Sequence, residues 1–306
     1  MSELSPSFYK KEIRSDFLVD EKRKKVWAVE LEMLERFDQV CKKHGLTYWA
    51  FYGTLLGAVR HQGFVPWDDD IDLVMFRDDY RRFQAVAPLE FKEPYFYQSA
   101  YTDRRIWALS KIRDSRTTGI EFRHLRDFHQ GIFIDIFPLD SVEDGVHKHF
   151  IKIKETRELL WALVTDPVNV LLVLKQDLIE GRKTAADVQI FLDIAKKDVR
   201  ERFELFEDFN LAHFGETENL NYIMEDIIPS NYKSVKKEWF QETIYLPFEH
   251  IQVPVPGEYD KILTQCYGDY HQYVPGGTAH ENIILDPDIP YEEYFARYLS
   301  EGGTVE

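Results

Sequence analysis

Along residues 20–44 the apolar side chains Val26, Val29, Met33, Phe37 and Val40 recur every three or four positions among charged ones. That spacing predicts an amphipathic helix covering a sheet, with Asp20 as N-cap and Gly45 as its end. Residues 46–52 run aromatic and apolar, which predicts a strand. Gly53 and Thr54 then turn the chain into a short helical stretch. Leu73, Val74, Met75 and Phe76 predict a buried strand, followed by a helix over 78–87 that Pro88 stops. Short strands are predicted over 95–100, 106–112, 119–122 and 132–137. Beyond Asp140 the period becomes helical, over 143–164, 167–180 and 184–209. The last of these starts at Thr184 and carries Val188, Phe191, Leu192, Ile194, Ala195 and Val199 on its apolar side. Prolines 247, 254 and 256 mark 245–255 as an edge strand. Residues 257–267 predict a short helix, and the tail from Tyr273 reads as loop-rich. The pattern shows no internal repeat or low-complexity segment. It gives an α+β fold: a mixed β-sheet core with flanking helices over residues 1–142, and a mainly helical part over 143–306 packed on it.

Composition narrows the function. The chain has 306 residues and a formal net charge of −16, which argues against a nucleic-acid partner. Between residues 101 and 126, however, Arg104, Arg105, Lys111, Arg113, Arg116, Arg123 and Arg126 face only Asp103, Asp114 and Glu121, a local excess of +4 suited to an anionic ligand. No apolar run approaches the roughly 18 residues of a membrane span, and the first 16 residues lack the apolar region of a signal peptide. Cys41 and Cys266 stand in no metal-like or Cys-x-x-Cys spacing. Together these point to a cytoplasmic protein. Lys22, Arg23, Lys24 and Lys25 offer a small basic patch for peripheral contact with an anionic membrane face.

The chemistry concentrates where aspartates enter apolar strands, because a buried carboxylate costs several kcal/mol or more unless it is neutralised. Asp70 and Asp72 lie two apart at the mouth of the 73–76 strand, so both point to one face. Asp68 and Asp70 have the same spacing. The apolar Ile71 and Leu73 favour the second pair, since they let the opposite face be buried. An EF-hand loop is excluded by Leu73 at the glycine position and Asp79 at the glutamate position. Asp135 sits alone inside the apolar strand 132–137. It reads as a third carboxylate beside Asp70 and Asp72, with an ion pair to a nearby arginine as the alternative. Carboxylates aimed at one point ask for a hard cation, Mg²⁺ or in its place Mn²⁺. An acidic solvated loop holding no ion is the competing reading. Gly53 and Thr54, before a helix N-terminus, suit the close approach of a phosphate. Lys111 and Arg113, two apart, share a face and are expected to contact phosphate oxygens or to form surface salt bridges. Arg60 and His61 follow the first motif, and His129 precedes the Asp135 strand; all three are further substrate-binding candidates.

The sequence YGTLLGAVR at 52–60, followed by PWDDDIDL at 66–73, resembles the LicD family of bacterial phosphocholine transferases, related to the fukutin-related ribitol-phosphate transferases. The resemblance runs from about residue 25 to about residue 140, with a weaker echo near 256–270. It implies a nucleotidyltransferase fold and a Mg²⁺-dependent enzyme that moves phosphocholine from CDP-choline to a sugar hydroxyl, releasing CMP. The acceptor it implies is a lipid-linked glycan precursor of teichoic acid or lipopolysaccharide, made at the cytoplasmic membrane face. The helical part is then the natural place for acceptor binding. Transfer of ribitol or glycerol phosphate from another CDP-alcohol, nucleotidyl transfer from an NTP, and a catalytically dead metal-bound scaffold are the alternatives. Trp49, Tyr52, Trp67, Tyr101 and Trp107 are the aromatics near the motifs that a choline head would require.

Overall fold

The computed structural model of the protein describes residues 4–121, 127–142, 147–227, 233–274 and 283–300. An N-terminal hairpin, β1 (Glu12–Arg14) and β2 (Phe17–Val19), leads into helix α1 (Glu21–His44). Asp20 caps α1 by accepting from the Arg23 amide at 2.8 Å. Gly45 closes the helix in the left-handed region (φ 60°), which glycine adopts without a Cβ penalty. The apolar stripe of α1 buries Val26, Trp27, Met33, Leu34 and Phe37.

The predicted strand over 46–52 shrinks to β3 (Trp49–Ala50), because Tyr52, at φ 41°, already begins helix α2 (Tyr52–His61). Gly53 and Thr54 therefore lie in the first turn of α2 rather than before it. Strand β4 (Asp72–Phe76) is followed by α3 (Arg77–Glu90), with Pro88 inside its last turn instead of ending it. The Phe91 amide still bonds to the Ala87 carbonyl at 3.0 Å, so the helix closes around the missing proline donor. Then come β5 (Tyr95–Gln98), β6 (Ser110–Asp114), β7 (Thr118–Ile120) and β8 (Phe133–Ser141). The expected strand 119–122 runs in part outside the described residues, as do Arg123 and Arg126.

Strands β5, β6, β8, β4 and β3 lie side by side in that order. Only β4 and β8 pair in parallel; the others are antiparallel, so the sheet is mixed as expected. Its buried side chains include Leu73, Val74, Met75, Ile112, Ile134 and Ile136.

Chain contacts group the protein into two compact units, Met1–Leu139 with Asn231–Glu306, and Asp140–Ser230. The stretch expected as one helical part over 143–306 is thus divided, and Asn231–Glu306, nearly half of it, belongs with the first unit. In that unit the edge strand expected over 245–255 is a hairpin of Thr243–Phe248 and Ile251–Pro256, turning at Glu249 (φ 53°). The tail is also more ordered than its composition suggested. Ile284–Asp286 pairs with β7, and Tyr291–Ser300 is helical.

The second unit carries helices α4 (Lys148–Thr165), α5 (Pro167–Ile179), α6 (Ala185–Ala195) and α7 (Val199–Ala212). The expected helix over 184–209 is two. Asp198 accepts from the amides of Arg200 and Glu201 while Glu201 bonds back to the Asp198 amide, a capping box that restarts the helix. Leu163, Val170, Leu174 and Val188 form its core, and the buried Arg157 donates to Asn210 at 2.7 Å and to the Ser141 carbonyl at 3.1 Å.

Candidate active site

The register of the sheet builds the site. Asp72 on β4 stands directly beside Asp135 on β8, Asp135 beside Lys111 on β6, and Lys111 beside Gln98 on β5. Side chains at paired positions share a face, so one row across four strands reads Asp72, Asp135, Lys111, Gln98. Asp70 joins from the loop before β4. Carboxylate oxygens of Asp70, Asp72 and Asp135 lie within 4.8 Å of one another, and all three residues are buried. A second set of oxygens, from Asp68, Asp69 and Asp70, meets the same limit. Converging carboxylates form an all-oxygen donor set of the kind that Mg²⁺ or Mn²⁺ takes.

The loop that carries the aspartates is fixed from three sides. The Asp72 amide donates to Thr54 Oγ1 at 2.8 Å, and the Asp72 carbonyl accepts from the Phe51 amide at 3.0 Å. The Asp135 amide donates to the Ile71 carbonyl at 2.8 Å. Arg23 and Trp27 of α1 both donate to the Asp68 carbonyl, at 2.7 and 3.1 Å. Gly53 lies against Asp68: a Cβ at Gly53 would stand 2.1 Å from Asp68 Oδ2. Thr54 and Gly53 thus hold the acidic loop against the first turn of α2. Burial, and after it the Asp72 carboxylate, push Asp68 up to about 7.

Lys111 and Arg113 do share a face, as their spacing required, and both are buried. Lys111 Nζ lies 3.0 Å from Asp135 Oδ1 and 3.1 Å from Glu121 Oε1, and 3.5 Å over the Phe133 ring. Arg113 pairs with Glu121 and donates to Gln98 Oε1 at 2.5 Å and the Gly131 carbonyl at 2.8 Å. Burial alone would raise Glu121, but Lys111 and Arg113 outweigh it and hold it down to about 2. The ion pair that the sequence offered for Asp135 is therefore with a lysine, not an arginine.

The remaining candidates lie elsewhere. His129 is stacked on Phe96, and its ring nitrogens face Ser115 Oγ at 3.0 Å and the Gly131 amide at 3.2 Å. Burial, and then Arg113, lower it to about 3. Arg60 and His61 sit at the opposite end of α2 from Thr54, about 9 Å along the axis at 1.5 Å per residue. Of the aromatics, Trp49 is core: its Nε1 donates to Thr243 Oγ1 at 2.9 Å and its ring meets Phe76 and Phe240. Trp107 faces Lys111 at 5.2 Å.

Three residues that bear on the site were not singled out from the sequence. Glu121 was counted only as a charge, and Trp27 only as part of a helix. Glu30 is wholly buried on α1, and burial followed by the charges of Asp70, Asp69 and Asp68 raises it well above the ordinary carboxylate range. One signal was present. Glu30 falls on the stripe of Val26, Met33 and Phe37, where a carboxylate is as anomalous as in a strand.

A mixed sheet presents carboxylates from two adjacent strands and from the loop before one of them, the arrangement expected of a nucleotidyltransferase-type domain. Residues 45–162 match the family described as LicD/FKTN/FKRP, nucleotidyltransferase domain. It is similar to the lipopolysaccharide cholinephosphotransferase LicD of Haemophilus influenzae, 27% identical over 252 residues that cover 80% of this chain and 89% of that protein. Shorter likenesses reach the ribitol 5-phosphate transferase FKRP of Homo sapiens and of Mus musculus, each 45% identical over 51 residues, or 17% of this chain and 10% of the relative.

Proposed function

We propose that this protein is a Mg²⁺-dependent phosphocholine transferase, moving phosphocholine from CDP-choline to a sugar hydroxyl of a lipid-linked glycan precursor and releasing CMP. The observation that carries this reading is the likeness to the Haemophilus lipopolysaccharide cholinephosphotransferase across 89% of that protein. The carboxylate row falls inside the family domain.

Asp70, Asp72 and Asp135 would hold the cation, whose chemistry is to neutralise the diphosphate oxygens and the leaving group. Asp135 would take the proton of the acceptor hydroxyl as the sugar oxygen bonds to the phosphorus of phosphocholine. The bond from that phosphorus to the bridging oxygen breaks, and the oxygen leaves with CMP. Lys111, which also meets Glu121, would hold Asp135 in place. Of the basic segment, Lys111, Arg113 and Arg116 face carboxylates. The natural setting is the cytoplasmic face of the membrane, where lipid-linked precursors of lipopolysaccharide or teichoic acid are presented. Among the described residues no helix is long and apolar enough to cross a membrane.

The FKRP likeness favours a second reading, the same site acting on CDP-ribitol. CMP release from CDP-choline and CDP-ribitol, each with lipopolysaccharide sugar acceptors, separates the two. Choline-specific release is expected; release from CDP-ribitol alone would replace the cargo. No release with any acceptor would leave a metal-bound scaffold.

A further inference from the structure

Arg60 and His61 close helix α2, and their surroundings are unlike those of any residue in the carboxylate row. Arg60 Nη1 donates to the carbonyls of Tyr270 and Gln272, at 2.9 and 3.3 Å. That bond pins the guanidinium in one plane. Its other edge, Nε and Nη2, is buried and has no hydrogen-bond partner among the described residues. Both ring nitrogens of the adjacent His61 are likewise buried without a partner there. Each such group forfeits the hydrogen bonds it made in water, and leaving several together is costly.

The chemistry of the vacant positions is specific. Nε–H and Nη2–H are the two parallel donors of the guanidinium fork, spaced for two oxygens of one phosphate or carboxylate. Burial, followed by the neighbouring charges of Arg60 and Arg14, lowers His61 to about 4, so at neutral pH the ring is neutral and offers one donor and one acceptor. The Tyr273 ring stacks 4.7 Å from the Arg60 guanidinium and meets His61 edge-on at 5.4 Å, yet Tyr273 is 53% exposed. A half-exposed ring turns aside without disturbing the core.

We propose that Arg60 and His61 form a phosphate-binding site, separate from the carboxylate row and covered by Tyr273. The site takes a phosphate group whose oxygens fill the Nε/Nη2 fork and the His61 donor. Phosphate binding here needs no metal and is tested apart from the transferase reading, on which only the assignment of the phosphate's source rests. Two sources carry this chemistry, the nucleotide phosphate of the donor and the diphosphate of a lipid-linked acceptor.

The test is calorimetric titration of the whole protein in EDTA at constant ionic strength, with inorganic phosphate, CMP and geranyl diphosphate as probes. Wild type is expected to bind inorganic phosphate, Arg60→Gln to bind it about tenfold more weakly or less, and Asp70→Asn to bind it as wild type does. Tyr273→Ala should tighten binding. Preference for CMP assigns the site to the donor, and preference for geranyl diphosphate assigns it to the acceptor. Equal binding by wild type and Arg60→Gln, loss of binding in Asp70→Asn, or no binding at millimolar phosphate would each overturn the proposal. Should Arg60→Gln fail to fold, Arg60→Lys keeps the charge and removes the fork; undiminished binding by that variant would overturn it equally.

Discussion

The backbone of Asp72 is held by the Thr54 hydroxyl and the Phe51 amide. Asp72→Asn should therefore leave the fold intact and abolish turnover. CMP release beside a circular dichroism spectrum checks both, and an active variant would remove Asp72 from the mechanism. Gly53→Ala tests the same loop from the other side. Its methyl would meet Asp68 Oδ2 at 2.1 Å, so the carboxylate or the helix must shift. Overpacking of this kind costs about 1–3 kcal/mol, and activity should fall further than stability, because what shifts is the acidic loop itself. His129 supplies a pH dependence. Its folded value of about 3 lies below the ordinary 6.5, so between those limits the unfolded chain binds more protons. Stability then declines as pH falls from 6.5 towards 3, with a limiting slope of about 1.4 kcal/mol per pH unit. In urea unfolding across that window, His129→Gln should flatten the decline; an unchanged slope would contradict the assignment.

At the scale of elements, the function rests on the register of three strands. Lys111 and Asp135 are 24 positions apart in sequence, and only the antiparallel pairing of β6 with β8 sets them side by side. Lys111→Ala would remove a buried cation from between Asp135 and Glu121, leaving Glu121 to Arg113. Breaking a buried pair from one side costs about 3–5 kcal/mol, so both the denaturation midpoint and turnover should drop. If neither stability nor kinetics changed, Lys111 would have no part in holding Asp135. This same register explains what the sequence revealed and what it withheld. A carboxylate inside an apolar strand is anomalous wherever the strand pairs, so Asp70, Asp72 and Asp135 were visible as a set. The partner of Lys111 was not, because local alternation says which face a side chain takes and nothing about its neighbour across the sheet. The break between α6 and α7 was legible in principle from Asp198 and Glu201. Apolar periodicity continues past the cap and hid it. The strand Ile284–Asp286 was illegible for a different reason, since it is three residues long and exists only because β7 offers an edge.

At the scale of the molecule, a chain of net charge −16 brings Asp70, Asp72 and Asp135 together and sets Lys111 of the neighbouring strand against Asp135. The excess negative charge there is the feature a divalent cation would resolve, and cation and nucleotide binding would then be interdependent. The central claim is that the carboxylate row and the family likeness together mark a CDP-choline site. The most direct measurement is the thermal shift of the whole protein with CDP-choline, with and without Mg²⁺, beside CDP-ribitol and CTP. A ligand at a hundred times its dissociation constant stabilises the folded state by about 2.7 kcal/mol, a readable shift. The account expects a Mg²⁺-dependent rise with CDP-choline that is absent in Asp72→Asn. A shift that ignores Mg²⁺, or one that appears for CDP-ribitol or CTP and not for CDP-choline, would contradict it.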